Sequence, residues 1–241
     1  MKLYKLLLKT TYSLSEILRV VRFSVESGFS MNNTLIYQIR TQCNFENVRY
    51  ESIRKEFESI LLSENVDKII RKLQELNILQ WIIPELSRGY GFNQRNKYHN
   101  KDVFEHTLSV TALVPRKINL RLAAIFHDLG KPLCFKIDQD GVGHFYGHEK
   151  ISYLLSKDIL HRWGYDEKIS NSVGLLVINH MRKYKIANYE SLKRLERAVG
   201  RGNIEELLEL QIADNLSKNP MYVDVMPLVS LYLLNKKRGC L

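Results

Sequence analysis

The chain has 241 residues, enough for one large domain or two small ones. Hydrophobic residues make up 45% and charged residues 26%, with 12 Gly and 5 Pro, so the composition excludes a disordered chain, a collagen-like repeat and a small disulfide-stapled scaffold. The 36 Lys and Arg outnumber the 26 Asp and Glu, and the net charge of +10 favours anionic partners such as nucleotides, RNA or acidic membrane surfaces.

Helical periodicity dominates the chain, because apolar residues recur at three and four positions. The segments with this period are, in chain order, residues 15–29, 50–63, 66–86, 191–199 and 203–216. Alternating strand-like patterns are nearly absent, and residues 134–146 form at most a short hairpin around Asp140 and Gly141. The fold is therefore predicted to be all-α.

Several residues have the positions of helix ends. Gly130 and Pro132 predict the end of one helix. Two pairs have the spacing of a capping box at a helix start: Asp102 with Glu105, and Asn203 with Glu206. The polar stretch 87–100 is the best linker candidate, so we divide the chain near residue 95, into 1–95 and 96–241.

The sequence contains nothing typical of a membrane or secreted protein. No segment approaches the roughly 18 consecutive apolar residues of a membrane span, and the apolar start of the chain is interrupted at Lys9. Cys43, Cys134 and Cys240 are odd in number and far apart, which favours reduced thiols over disulfides. We expect a cytoplasmic protein with no membrane contact.

Six residues able to ligate a metal ion are spread over the second half of the chain. A single histidine on an apolar helix face is more often a hydrogen-bonded core residue than a ligand. Here, however, helical periodicity places four imidazoles on apolar faces, so we expect them to converge in the core. The six residues are His106, His127, Asp128, His148, His180 and Asp214.

Asp214 is the most informative of the six. It continues the apolar stripe of Leu207 and Leu210, and a buried carboxylate is tolerated when it is paired or binds a metal. Lys218 is its only basic candidate within one turn of the same helix, so we expect a metal cation to be the better partner. Mixed imidazole and carboxylate ligation favours Mn, Fe, Ni, Co or Zn over Ca, with the metal and its number, one or two, left open.

The pattern H…HD…D, formed by His106, His127 with Asp128, and Asp214, resembles the HD-domain metal-dependent phosphohydrolase superfamily. That resemblance implies one metal held by these four residues. His148 and His180 resemble the extra ligands of members that hold two metals, with Asp128 as the bridge. A metal-activated hydroxide would then attack a phosphoester, with Asp128 and Lys131 as catalytic residues, Lys131 neutralising phosphoryl oxygens.

Longer segments, "FHDLGKP", "GVGHFYGHEKIS" and "LLELQIADN", resemble the HD region of bacterial class II tRNA nucleotidyltransferases, the CCA-adding and poly(A) polymerase family. The earlier segments "ILRVVRFSVESGF" and "YESIRKEFESIL" resemble the helical neck of those enzymes. The resemblance thus makes 1–95 a neck-like region and 96–241 an HD domain. We expect no CCA addition, because the nucleotidyltransferase head would precede residue 1 and the base-reading motif E-D-x-x-R falls on residues 12–16, where none of the required residues matches.

The substrate follows from the resemblance, which implies hydrolysis of 2′,3′-cyclic phosphodiesters or nucleoside monophosphates, as free nucleotides or at RNA ends. Two alternatives stay open: an RNA-binding or regulatory remnant with a structural metal, and a di-iron oxygenase. Arg19 and Arg22 match neck arginines, although two arginines on an amphipathic helix are more often a solvated face. A basic surface for substrate, tRNA or RNA is expected at Arg182, Lys183, Lys185, Lys193, Arg194 and Arg197. The exact substrate and the oligomeric state are left open.

Overall fold

The computed structural model describes residues 12–41, 43–44, 50–184 and 186–239, and these form an all-α fold, as predicted. The helices, in chain order, are α1 (Leu14–Ser27), α2 (Asn33–Thr41), α3 (Tyr50–Leu61), α4 (Val66–Glu75), α5 (Pro84–Ser87), α6 (Val103–Leu113), α7 (Ile118–Phe126), α8 (Lys131–Cys134), α9 (His148–Arg162), α10 (Glu167–Asn179), α11 (Tyr189–Val199), α12 (Ile204–Leu216) and α13 (Met226–Gly239). Among the described residues, no helix has the length and apolar character needed to cross a membrane.

The described strands are four two-residue segments in two small sheets. Strands β1 (Tyr12–Ser13) and β2 (Cys43–Asn44) pair in parallel. Strands β3 (Lys136–Ile137) and β4 (Gly143–His144) pair antiparallel and form the predicted hairpin. Gly141 lies in its loop with φ of 78°, a left-handed conformation that glycine adopts without steric cost.

Helix α1 begins at a capping box that the sequence analysis did not identify. The Ser13 hydroxyl accepts a hydrogen bond from the Glu16 backbone N–H at 3.4 Å, and the Glu16 carboxylate accepts one from the Ser13 N–H at 3.1 Å. Both residues lie in the register of the base-reading motif, so Glu16 caps a helix there.

The periodic segment 66–86 is not one helix. Helix α4 ends at Glu75, a 3₁₀ turn covers Leu79–Trp81, and α5 begins at Pro84. Asn77 has a left-handed φ of 59°, which ends the first helix, and Pro84 has no N–H to continue an earlier one.

Two of the predicted helix ends need correction. Asn203 occupies the N-cap position of α12, as predicted, but the capping box does not form. Asn203 lies in a 3₁₀ turn at φ −102° and ψ −3°, and its side chain bonds Ser172 and the Val199 carbonyl instead. Helix α7 already ends at Phe126, four residues before Gly130. Pro132 occupies the first turn of α8, so it starts a helix where the sequence analysis predicted an end.

The Asp102 cap is confirmed, although only half of its box forms. The Asp102 carboxylate accepts a hydrogen bond from the Glu105 N–H at 2.6 Å. The Glu105 side chain turns away and accepts two hydrogen bonds from Arg71 of α4, at 3.0 and 2.8 Å. This pair ties the N-terminal helices to α6.

Helix α7 is the centre of the molecule, because it contacts α3, α6, α9, α10 and α12. All its residues from 120 to 126 are buried, including Arg121. The Arg121 guanidinium donates to backbone carbonyls on both sides of residue 95, with Leu61 at 3.1 Å and Val114 at 3.0 Å. Buried apolar residues from both sides form one hydrophobic cluster, and the proposed division at residue 95, inside the irregular stretch before α6, stays a prediction.

Arg19 and Arg22, the two arginines that match the neck pattern, both contact one buried carboxylate. Arg19 donates its Nε hydrogen to Glu56 at 2.8 Å, and Arg22 lies 3.5 Å from the other Glu56 oxygen. Glu56 is buried in α3. Both arginines therefore help to join α1 to α3.

The cysteine prediction is tested only in part. Cys134 is a free thiol. The side chain of Cys43 and all of Cys240 lie outside the described residues.

Candidate metal centre

The six candidate ligands come from separate parts of the chain and meet in the core. His106 lies in α6, His127 and Asp128 follow α7, and His148 is the first residue of α9. His180 ends α10 and Asp214 lies near the end of α12. None of the six is more than 4% exposed, so the structure brings all of them together in the interior.

Asp128 lies at the centre of the four imidazoles. Its Oδ2 is 3.1 Å from Nε2 of His127 and 3.4 Å from Nε2 of His106. Its Oδ1 is 3.3 Å from Nε2 of His148 and 3.7 Å from Nε2 of His180. One carboxylate thus faces four ring nitrogens, two on each oxygen.

The ligand atoms form two groups with the spacing of metal sites, and Asp128 belongs to both. One group contains His106, His127 and Asp128, and the other contains Asp128, His148 and His180. Asp214 is in neither group of three, but its Oδ1 lies 3.1 Å from Nε2 of His106. The resemblance assigns Asp214 to the first group as well, and that role stays a prediction.

Backbone carbonyls orient three of the rings. The Nδ1 atoms of His127, His148 and His180 each lie 2.7 Å from the carbonyl oxygen three residues earlier, so we assign the hydrogen to Nδ1. The Nε2 lone pairs then point at Asp128, which is the tautomer that metal-binding histidines need. His127 Nε2 is buried without a hydrogen-bond partner, so the donor set fits a cation.

The electrostatics keep the carboxylates charged. Burial alone would raise the pKa of both carboxyl groups. Instead, His127 and Lys131 hold the pKa of Asp128 well below its usual range. Lys218 and His106 do the same for the pKa of Asp214. Burial lowers the pKa of His180 to about 3. The site thus presents ionised oxygens and a neutral His180, which are states that ligate metals. For His127 the burial is outweighed by the charge of Asp128, which raises the pKa of this imidazole, so a metal would have to displace its Nε2 proton.

Each carboxylate also has a lysine beside it. Lys131 is buried, and its Nζ lies 2.7 Å from Asp128 and 2.9 Å from the side-chain oxygen of Gln94. Lys218 lies 2.8 Å from Asp214. Lys218 is the basic candidate that the sequence analysis named for Asp214, and the preference for a metal cation as its partner stays a prediction.

Three residues around the site escaped the sequence analysis as supports. Gln211 donates its amide hydrogens to the carbonyls of Asn179, His180 and Arg182, at 3.0 to 3.3 Å. Gln211 lies three residues before Asp214 on one face of α12, so its spacing was a usable signal.

The other two supports carry no such signal, because both come from the irregular stretch before α6. Gln94 bonds Lys131, and the His99 ring packs edge-on against His106 with centroids 4.9 Å apart. Burial lowers the pKa of His99 to about 2. This stretch therefore covers the site as well as linking the two regions.

The remaining histidines lie in neither metal group among the described residues. His144 bonds Asp138 at 2.7 Å in the hairpin, and His161 is exposed near the end of α9. Of the basic stretch, Arg182, Lys183 and Arg194 line grooves beside the site, whereas Lys185 lies outside the described residues.

Two family models match the chain. The HD domain model matches residues 103–219, which contain all six candidate ligands. This chain contains an HD domain. A second model, described as the probable RNA and SrmB-binding site of polymerase A, matches residues 28–89. The chain thus has the neck plus HD organisation of tRNA nucleotidyltransferases.

Curated relatives agree with this assignment. The A-adding tRNA nucleotidyltransferase of Deinococcus radiodurans is 31% identical over 68% of this chain and 39% of its own length. The CC-adding tRNA nucleotidyltransferase of Thermus thermophilus is 28% identical over 83% of this chain and 48% of its own. The multifunctional CCA protein of Pasteurella multocida is 30% identical over 70% of this chain and 43% of its own length. This HD-domain chain spans less than half of the length of these relatives.

Proposed function

We propose that this HD domain is a metal-dependent phosphohydrolase that acts on a nucleotide or RNA-end phosphoester, either a 2′,3′-cyclic phosphodiester or a nucleoside monophosphate. One observation carries the proposal: three imidazoles oriented by backbone carbonyls direct their Nε2 atoms at one buried, ionised Asp128. Such a donor set has no role in a purely apolar core, since the desolvation of each polar atom would be uncompensated.

The chemistry requires the chain to hold one or two divalent ions, which lower the pKa of a bound water and polarise a phosphoryl oxygen. Asp128 would bridge the two groups, with His106, His127 and Asp214 on one side. His148 and His180 would hold the other. Mn, Fe, Ni, Co and Zn all suit this mixture of nitrogen and oxygen ligands.

Lysine side chains would stabilise the reacting phosphoryl group. Lys131 and Lys218 both lie within 2.8 Å of the candidate carboxylate ligands, so an anion bound there would meet two ammonium groups. Positive charge fixed in a buried site stabilises the charge that develops on phosphoryl oxygens during hydrolysis. Lys131 donates a hydrogen bond to Gln94, and its Nζ lies over the Phe145 ring, 5.4 Å from the ring centroid.

Access to the site favours hydrolysis over a structural metal. A groove of about 380 Å³ is lined by His180 and Asp214. Structural metal sites are closed by protein ligands, whereas catalytic sites keep a position open to substrate. The groove supplies the route that a substrate would need.

The test is hydrolysis by protein loaded with each of the five metals. We expect 2′,3′-cyclic nucleotides or nucleoside monophosphates to be hydrolysed, and Asp128→Asn to lower turnover by several orders of magnitude while circular dichroism shows a retained fold. Asp158→Asn is the matched control, because Asp158 is exposed on α9 and should keep full activity. Unchanged hydrolysis in Asp128→Asn would assign the activity to another site.

Two other outcomes would replace the proposal. Oxygen consumption by an iron-loaded sample would identify a di-iron oxygenase. Bound metal with neither activity would identify an RNA-binding or regulatory remnant. We also propose contact with tRNA or RNA and a cytoplasmic location, supported by the relatives and by the free Cys134 thiol.

A further inference from the structure

A basic groove leads away from the candidate metal centre. The groove of about 380 Å³ at His180 and Asp214 shares part of its wall with a second one of about 610 Å³. The two cavities together are called the basic groove. Both are lined by Arg182, Lys183 and Tyr184, and the larger one is also lined by Ser191 and Arg194. The basic groove therefore extends from the candidate ligands to the exposed face of α11.

Three cations along this groove lack carboxylate partners. Within the described part of the chain, Arg182, Lys183 and Arg194 form no ion pair, and the Arg182 guanidinium donates to the Asn179 side chain. By contrast, the neighbouring Lys193 lies 3.1 Å from Glu190 and does not line the groove. The carboxylates that line the groove lie at its metal-centre end, where Asp214 pairs with Lys218 and Asp224 lies nearby in the sequence. Unpaired cations that line one groove produce a positive potential that attracts an anion.

The groove also carries exposed apolar side chains between the cations. Met181 is 43% exposed and Ile186 is 67% exposed, and both line its walls. Tyr184 lines both cavities and adds an aromatic ring. Positive charge that follows a groove together with aromatic surface is typical of sites for single-stranded nucleic acid.

The length of the groove discriminates between a mononucleotide and a strand. A mononucleotide carries its charge on one phosphorus, which the proposed reaction places at the metal centre. Arg194, in the second cavity, would then face no phosphate. A strand carries further phosphates, and each can pair with a cation along the groove.

We propose that the substrate of this site is the end of an RNA strand, whose terminal phosphoester lies at Asp128 and whose upstream phosphates lie along the basic groove. This inference rests on the proposed function for the identity of the reacting group. The groove itself makes a binding prediction that does not depend on hydrolysis.

The binding experiment uses the intact protein and a 5′-fluorescein RNA tetranucleotide with a 3′-hydroxyl end, which offers no terminal phosphoester. Fluorescence anisotropy over a salt series gives the number of phosphates contacted. The plot of log K against log salt concentration has a negative slope, whose magnitude is about 0.7 for each phosphate that a single strand contacts. We expect Arg194→Gln to weaken binding several-fold and to reduce the slope by about 0.7. Lys193→Gln removes the same charge from the next position, outside the groove, and should leave both unchanged.

The kinetic experiment compares a 2′,3′-cyclic mononucleotide with a tetranucleotide that ends in the same cyclic phosphate. We expect kcat/KM to be at least tenfold higher for the tetranucleotide, because its KM is lower. Arg194→Gln should lose this advantage, whereas Lys193→Gln should keep it. Equal kcat/KM for both lengths, or equal losses in the two variants, would overturn the groove proposal while the proposed hydrolysis stands. Absence of hydrolysis with groove-dependent binding would overturn the proposed function alone.

Discussion

The Nε2 atoms of His148 and His180 lie 3.2 Å apart, although each ring donates its Nδ1 hydrogen to a backbone carbonyl. Two nitrogen lone pairs at this distance repel each other unless a cation or a proton lies between them. Nitrogen ligands about 2.1 Å from one tetrahedral ion have nearly the same separation, roughly 3.4 Å. This spacing fits the proposal that the two rings and Asp128 hold one ion.

Removal of His180 should therefore remove one metal. We expect His180→Ala to lower the metal content from two ions to one, because His106, His127, Asp128 and Asp214 remain. Elemental analysis of purified, reloaded protein measures this. His161→Ala is the control, since His161 is an exposed histidine on α9, and equal metal content in the two variants would refute a separate second ion.

Gln211 should position His180. Its amide donates to three carbonyls of residues 179–182, two of them in buried contacts, so Gln211→Met keeps the volume but removes these hydrogen bonds. We expect a loss of about 1–3 kcal/mol in the free energy of unfolding and a metal affinity at least about tenfold weaker. Urea unfolding and metal titration measure the two effects. Gln80→Met, at an exposed site, should change neither, and an unaltered affinity in Gln211→Met would make Gln211 merely structural.

Arg121 should contribute more to the free energy of unfolding than an arginine on the surface. Arg121→Met leaves buried carbonyls of Leu61 and Val114 without their donor, so we expect a loss of about 2–4 kcal/mol in the free energy of unfolding. Arg116→Met, which removes an exposed pair with Glu64, should cost less than about 1 kcal/mol. Denaturant unfolding compares them, and similar losses would contradict the assigned role of Arg121.

The Arg71–Glu105 pair should make stability depend on pH. The hydrogen bonds from Arg71 lower the pKa of Glu105 from its usual 4.5, so the pair stabilises the fold above that value. As the pH falls further, the unfolded chain binds a proton first and the stabilisation is lost. Glu105→Gln should lower the free energy of unfolding by at most about 1 kcal/mol at pH 7, since the Arg71 and Glu105 side chains are each about one-third exposed. In strong acid the substitution should leave the free energy of unfolding unchanged. Urea unfolding at several pH values measures the difference, and a pH-independent cost would contradict this cause.

The helices were predictable because burial of an apolar stripe imposes a 3.6-residue period. The hairpin was predictable for a similar local reason, since Asp140 and Gly141 form a turn signal. The interruption of 66–86 was not, because Asn77 and Pro84 lie within an otherwise periodic segment and their effect depends on backbone conformation. Asn203 shows the reverse, since its spacing to Glu206 fits a cap but Ser172, from another helix, takes its side chain.

The candidate ligands were predictable because each is a polar residue on an apolar helical face. Of their supports, Gln211 had a usable spacing to Asp214, but Gln94 had none, since it reaches Lys131 across 37 residues and has no periodic context. Lys218 was visible as a possible partner of Asp214, but the sequence could not decide between an ammonium and a metal ion. Only the packed geometry brings Lys218 within 2.8 Å.

The most direct test of a metal centre at Asp128 is an anomalous difference map from a crystal of this chain soaked in Mn²⁺. We predict density peaks in contact with the Asp128 carboxylate and with the Nε2 atoms of the surrounding histidines, one peak for each group of three ligands. These peaks should be absent from an Asp128→Asn crystal. Full occupancy of Mn²⁺ elsewhere on the protein, with no peak at Asp128, would contradict the proposed centre.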